Sequence, residues 1–150
     1  MALTPPAPSP NVGRGGVLKR KGIPMYEIGV VGQFEAAHQL KGDFGPAARM
    51  HGHTYRLEVI VRGDALDELN VLFDIGRLRA RVDDLVDRLS YRDLNEVEGL
   101  EAVNTTAEAV AKFCWDALAS GLTGSGLSSL AVRVWESPQV WAGLDAPLKD

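Results

Sequence analysis

The stretch 51–62, HGHTYRLEVIVR, alternates apolar and polar side chains. Its apolar phase carries Tyr55, Leu57, Val59 and Val61, and its other phase carries Thr54, Arg56, Glu58 and Arg62. A period of two predicts a β-strand with one buried face. His51 and His53 share the buried phase, so two imidazoles should project from the same face at one end of the sheet.

A third histidine lies close by in the sequence. The chain has three histidines, and His38 ends a second extended segment, Tyr26–Gln39. Pairing of the two segments would bring His38 beside His51 and His53. Three imidazoles suit zinc, and a site with three protein ligands keeps a fourth position for water or substrate, as catalytic zinc sites do. The alternative is that the histidines are polar residues at strand ends.

Length and charge narrow the class of protein. A chain of 150 residues with a net charge of −4 is long enough for one domain and lacks the basic surface that nucleic acid requires. No apolar run reaches membrane-spanning length, and the N-terminus has no signal-like hydrophobic stretch. The single cysteine, Cys114, cannot form an internal disulfide. These features predict a cytoplasmic protein that binds neither membrane nor nucleic acid.

The first 24 residues are rich in proline and glycine and poor in apolar side chains. Such a segment cannot offset the entropy of ordering, so we predict a disordered tail over residues 1–24 and a single domain over residues 25–150.

Two amphipathic helices are predicted in the middle of the chain. After a short extended piece, Asn70–Phe73, Asp74 is the expected N-cap of the first helix. Its apolar positions are Ile75, Leu78, Val82, Leu85, Val86 and Leu89. The second helix is predicted to open at Thr105–Glu108, where Thr105 and Glu108 have capping-box spacing, and to run to Leu118. Cys114 lies on its apolar stripe and is expected in the core.

The element order predicts an α+β fold. Two strands, two helices, the strand Leu130–Glu136 and a short strand around Val140 and Trp141 imply an antiparallel sheet with both helices on one face. The edges of such a small sheet would stay open, and edge-to-edge assembly of subunits would protect them.

Glu136 falls on the inward phase of the strand Leu130–Glu136. A buried carboxylate needs a partner. That partner is either structural, a backbone group or Arg49 or Arg56, or a ligand with paired N–H donors.

The chain resembles the 6-pyruvoyl tetrahydropterin synthase family, which includes the 6-carboxytetrahydropterin synthases of the queuosine pathway. The resemblance extends from Tyr26 to the C-terminus. It rests on Phe34–His38, His51–Tyr55, Phe73–Asp74, Leu94–Asn95, Asn104–Glu108 and Trp135–Glu136.

The resemblance implies a tunnelling fold (T-fold): a four-stranded antiparallel sheet with two helices on one face, joined between subunits into a barrel, as a homohexamer. It also implies Zn²⁺ on His38, His51 and His53, and a pterin such as dihydroneopterin triphosphate anchored by Glu136. Thr105 and Thr106 match the stretch in which a neighbouring subunit helps to hold the pterin ring.

The catalytic relay of the family is replaced. The family's cysteine, four residues before the first histidine of HGH, corresponds to Ala47, and its Asp-His pair corresponds to Ser90 and Tyr91. The standard lyase reaction should therefore be slow or absent, because acid–base groups contribute roughly 10²–10⁴-fold each. Tyr91, Asp43 or a zinc-bound water are the candidates for proton transfer.

Three interpretations follow from the sequence. The first is a divergent zinc lyase acting on a pterin, and the second is a non-catalytic pterin- or purine-binding protein that kept the pocket. The third is a structural zinc protein with only a fold-level resemblance, and the inward Glu136 argues against it.

Overall fold

The computed structural model describes Gly22 and residues 24–149. Their helices and strands are β1 (Tyr26–His38), β2 (His51–Gly63), α1 (Ile75–Leu89), β3 (Arg92–Asp93), α2 (Ala107–Ala119), β4 (Ser129–Ser137) and β5 (Val140–Pro147). Apart from Gly22 and Pro24, the segment predicted as a disordered tail lies outside the described residues. No helix in the described part of the chain has the length and apolar character needed to cross a membrane.

The strands form one sheet in the order β3-β1-β2-β4-β5. The four long strands are antiparallel, as predicted. The sheet is nevertheless mixed, because β3 adds a fifth strand that pairs parallel to β1 at Ala36 and Ala37. This strand of two residues forms where Tyr91 N–H donates to the Glu35 carbonyl at 2.6 Å.

Both helices cover one face of the sheet, which confirms the α+β prediction. Helix α1 packs on β1, and α2 packs on β4 and β5. The common core contains Val30, Phe34, Leu57, Val59, Val132, Leu78, Val82, Leu85, Val110, Cys114 and Leu118. Gly32 interrupts the apolar phase of β1 because a Cβ there would lie 2.8 Å from Val86 Cγ2. Helix α1 can therefore approach the sheet closely.

The start of α1 is as predicted, and the start of α2 is not. The Asp74 carboxylate accepts from Gly76 N–H at 2.8 Å and so caps α1. The prediction of Thr105 as the cap of α2 is wrong: the cap is Thr106, whose hydroxyl accepts from Ala109 N–H at 3.2 Å. Thr105 is instead fully buried in contact with His38.

The extended piece predicted at Asn70–Phe73 is also wrong, because those residues form a loop. The Asp67 carboxylate accepts from Leu69 N–H and Val71 N–H, and Asn70 has φ of 61°. These bonds join residues within the loop, so residues 70–73 form no strand in the described chain.

Candidate metal centre and ligand pocket

The register of β1 and β2 brings the three histidines together. His38 pairs directly with His51, and Ala36 pairs with His53. Directly opposed residues of an antiparallel pair share a face, and so do alternate residues along one strand. All three imidazoles therefore project from the same face at one end of the sheet.

The three rings surround a common point. Their centroids are 4.5 Å apart for His38 and His51, 5.1 Å for His38 and His53, and 4.8 Å for His51 and His53. One nitrogen from each ring lies within 4.8 Å of the others. In the described part of the chain this is the only such group of potential metal ligands.

Backbone carbonyls orient two of the three rings. His38 Nδ1–H donates to the Thr105 carbonyl at 2.8 Å, and His51 Nδ1–H donates to the Arg49 carbonyl at 2.7 Å. A proton held on Nδ1 leaves the Nε2 lone pair free, and metal-ligating histidines are commonly held in this way.

The environment of His38 fits a metal ligand. The residue is 1% exposed, and its Nε2 is buried without a hydrogen-bond partner in the described residues. Burial lowers the pKa of His38, although the hydrogen bond to Thr105 opposes this effect. His38 is thus held neutral with an open lone pair, and a set of three imidazoles suits zinc with one coordination position left over.

Glu136 lies near the histidines, at an irregularity of the sheet. Trp135 pairs with Trp141 and Ser137 with Val140, so Glu136 is the extra residue of a β-bulge in β4. It is half-buried, and its charge acts on His38 and on Tyr55. Among the described residues, no ion pair or side-chain hydrogen bond is found for this carboxylate. Bulges often redirect a side chain beside a functional site.

Arg56, one of the structural partners considered for Glu136, is engaged elsewhere. It pairs in register with Trp135, so these two side chains share a face of the sheet. Its guanidinium lies 5.6 Å from the Trp135 ring centroid and 4.0 Å from the Glu58 carboxylate.

Tyr55 contacts His53 and lies close enough to Glu136 to feel the charge of its carboxylate. Its ring stacks on Phe34 at 4.8 Å and meets His53 edge-on at 5.3 Å. Burial, followed by the charge of Glu136, raises the pKa of Tyr55, and its hydroxyl has no partner among the described residues. The phenol therefore stays protonated as a hydrogen-bond donor.

Two residues expected to transfer protons, Tyr91 and Asp43, are more exposed than His38 and Tyr55. Tyr91 is 84% exposed at φ of 57°, and it lines a groove of about 570 Å³ together with Glu35, His53 and Arg92. Asp43 is exposed in the loop after β1. Ala47 lies in a short 3-10 helix, Gly45–Ala48, and the Ser90 hydroxyl donates to the Val86 carbonyl.

Thr105 and Thr106, expected to help hold a pterin, both form hydrogen bonds within this chain. Thr105 contacts His38 and Thr106 caps α2, so each already has a structural role. Sequence reasoning did not assign the carbonyls of Thr105 and Arg49 to the metal centre, because a backbone carbonyl leaves no signature in the sequence.

An α+β sheet with helices on one face and three convergent imidazoles at one end defines a tunnelling-fold protein with a candidate metal centre. The family model described as 6-pyruvoyl tetrahydropterin synthase matches residues 27–147. The chain belongs to this family, whose members process pterins.

Individual relatives agree with this membership. The chain is 30% identical to the 6-carboxy-5,6,7,8-tetrahydropterin synthase of Haemophilus influenzae, over 76% of this chain and 94% of that protein. It is 29% identical to the dihydroneopterin monophosphate aldolase of Pyrococcus furiosus, over 75% and 90%. The solved structure of Caenorhabditis elegans 6-pyruvoyl tetrahydropterin synthase superposes with a TM-score of 0.72 at 24% identity, over 83% of this chain and 97% of that one.

Proposed function

We propose that this protein binds one zinc ion per subunit through His38, His51 and His53 and acts on a pterin held against Glu136. The observation that carries the proposal is the trio of imidazoles within 4.8 Å of one another, two of them with Nδ1–H donating to a backbone carbonyl. Zinc bound there would supply Lewis-acid polarisation of an oxygen on the pterin side chain.

Glu136 gives the proposed ligand its chemical class. A carboxylate without a partner among the described residues, at the edge of a half-buried site, suits a ring edge with two adjacent N–H donors. The amino-pyrimidine edge of a pterin presents such donors, and a two-point bond to a carboxylate is strong and directional. Tyr55 adds a protonated hydroxyl beneath the same site.

The names of the relatives indicate a pterin substrate and more than one type of reaction. Two relatives carry the names of a synthase and of an aldolase, which are different reactions on related pterins. We therefore propose a pterin substrate with dihydroneopterin triphosphate as the first compound to test.

The alternative function is a non-catalytic pterin- or purine-binding protein. It is favoured by Ala47, because a methyl group cannot transfer a proton, and by the placement of Tyr91 at the surface. The two functions share the zinc and the pocket, so turnover distinguishes them.

The metal site is tested by analysing zinc content after dialysis against a mild chelator. The wild-type chain should keep one zinc per subunit and His51→Ala should lose it, because affinity depends on a complete ligand set. Asp43→Asn is the control, since it removes a carboxylate from the loop between β1 and β2, outside the trio. Undiminished zinc in His51→Ala would exclude the three-histidine site.

The ligand is tested by calorimetry with neopterin. The wild-type chain should bind it, and Glu136→Gln, which keeps the size of the side chain but not its charge, should bind at least about tenfold more weakly, because hydrogen bonds to charged groups are worth about 1.5–3 kcal/mol. Equal affinities would remove Glu136 from the pocket.

A further inference from the structure

Two asparagine side chains form hydrogen bonds with the backbone directly after His38. Gln39 N–H donates to Asn95 Oδ1 at 2.9 Å, and Asn95 Nδ2–H donates back to the Gln39 carbonyl at 3.0 Å. Lys41 makes the same pair of bonds with Asn104, at 2.8 Å and 3.0 Å. Each side-chain amide thus satisfies both the donor and the acceptor of one backbone residue, as a neighbouring strand would.

The opposite edge of this segment is held by its own loop. Leu40 N–H, between the two gripped residues, donates to the Ala47 carbonyl at 2.9 Å. Residues 39–41 therefore continue the direction of β1 beyond its last pair with β2. One edge is bonded to two asparagine side chains and the other to the 3-10 helix Gly45–Ala48.

The same asparagines are tied to the metal centre. Asn104 is followed by Thr105, whose carbonyl accepts from His38 Nδ1–H at 2.8 Å. Asn95 follows β3 and is itself held by the Asp93 carboxylate, which accepts from Asn95 N–H at 3.0 Å. Asn104 thereby connects one metal ligand, the carbonyl that orients it and the loop leading to His51.

We propose that Asn95 and Asn104 are positioning residues of the metal centre. Their amides fix residues 39–41, and through them the His38 imidazole and the loop 42–49, in the arrangement that zinc requires. This inference rests on the proposed zinc site. It assigns to the two asparagines a role that neither charge nor ligand chemistry would indicate, because neither belongs to the histidine trio.

The test uses the full chain with Asn104→Asp and Asn95→Asp. Aspartate keeps the size and the acceptor oxygen of asparagine but replaces the Nδ2–H donor by an oxygen that faces a carbonyl. Asn70→Asp is the matched control, since it makes the same change in a loop at the other end of the sheet. We call the bonds of Asn95 and Asn104 to residues 39–41 the clasp. Gly32→Ala is a second control, because it crowds the contact between α1 and β1 and leaves the clasp unchanged.

Two measurements decide the outcome. Hydrogen exchange of the metal-free protein should show lost protection in residues 39–49 for the two clasp variants only. Competition with a chelator should show zinc Kd raised about 10–100-fold, the range found when groups that orient metal ligands are removed. Both controls should keep the wild-type zinc affinity, even where Gly32→Ala lowers thermal stability.

The possible failures are separable. Zinc affinity unchanged in both clasp variants would overturn this inference while leaving the proposed function intact. Equal loss of affinity in Gly32→Ala would overturn it as well, since any destabilised fold would then bind zinc poorly. A wild-type chain that binds no zinc would overturn the proposed function and this inference together.

Discussion

Three side chains replace the catalytic residues that the family resemblance implies. Ala47, Ser90 and Tyr91 stand where the resemblance places a cysteine and an Asp-His pair. The loop that carries Ala47 is held in place, because the Ala47 carbonyl accepts from Leu40 N–H at 2.9 Å. A cysteine introduced there would occupy an ordered position in the loop between His38 and His51.

The expected result is that the wild-type chain converts dihydroneopterin triphosphate very slowly or not at all. The triple variant Ala47→Cys, Ser90→Asp, Tyr91→His should gain more activity than the single changes, because residues acting as one catalytic unit are strongly non-additive. Tyr91 has φ of 57°, a region in which histidine is among the better tolerated residues. Product formation measured by chromatography checks this.

The control for the relay is the same triple variant with His51→Ala added, which should be inactive if zinc is required. Robust turnover by the wild-type chain would show instead that another group transfers the proton. Tyr91 and Asp43 would then be tested first, as Tyr91→Phe and Asp43→Asn.

Cys114 gives a prediction about pH. Burial raises the pKa of the Cys114 thiol to about 12, from an ordinary value of 9.0. Above pH 9 the unfolded chain therefore loses this proton while the folded chain keeps it, and the unfolded state is favoured. The free energy of unfolding should fall as pH rises from 9 to 11, and Cys114→Ala should reduce that fall.

Denaturant unfolding at pH 8 and pH 10.5 measures the effect. Part of the fall should persist in Cys114→Ala, because burial also raises the pKa of Tyr55. Tyr55→Phe should remove that part. An identical pH dependence in wild type and Cys114→Ala would show that the thiol is accessible in the folded state. Rapid alkylation of the native protein would show the same.

Helix α2 is capped by Thr106 and not by the adjacent Thr105. Thr106 accepts from Ala109 N–H, so Thr106→Ala should lower the free energy of unfolding by about 1 kcal/mol, whereas Thr106→Ser should retain most of it. Thermal unfolding of the two variants gives the comparison. Equal stability of wild type and Thr106→Ala would mean that water replaces the cap.

The strands and the histidine trio were predictable because their signals are local. Alternation in 51–62 fixes which side chains share a face, and His51 and His53 follow from the same alternation. Pairing of β1 with β2 then places His38 without further information. The α+β arrangement follows from element order and from the apolar stripe of α1.

Other features depend on contacts between distant residues and could not be predicted. Strand β3 has two residues, which is too short for any periodicity, and it exists only through pairing with β1. The Asn95 clasp joins residues 56 positions apart. Thr105 and Thr106 both precede α2 closely enough to cap it, and the contact of Thr105 with His38 decides between them.

The sheet leaves surface that a single subunit does not cover. Strand β5 is an edge strand, and on or near it Val140 is 53% exposed and Trp141 is 48% exposed. The other edge, β3, is two residues long and covers only a small part of β1. Exposed edges of this kind invite pairing with another chain unless they are protected.

We therefore expect a closed homo-oligomer, with six subunits as the size that the family resemblance implies. A ring in which the β5 edge of one subunit pairs with the opposite edge of the next removes every free edge, whereas a two-fold dimer formed through β5 alone would leave the β3 side open. Light scattering at micromolar concentration should give a mass near six times 16.2 kDa. Metal-free protein should give the same mass, because the edges are formed by backbone and not by the histidines. A mass near 16.2 kDa would contradict the shared barrel, and a mass that falls only when zinc is removed would place the metal at the subunit contact.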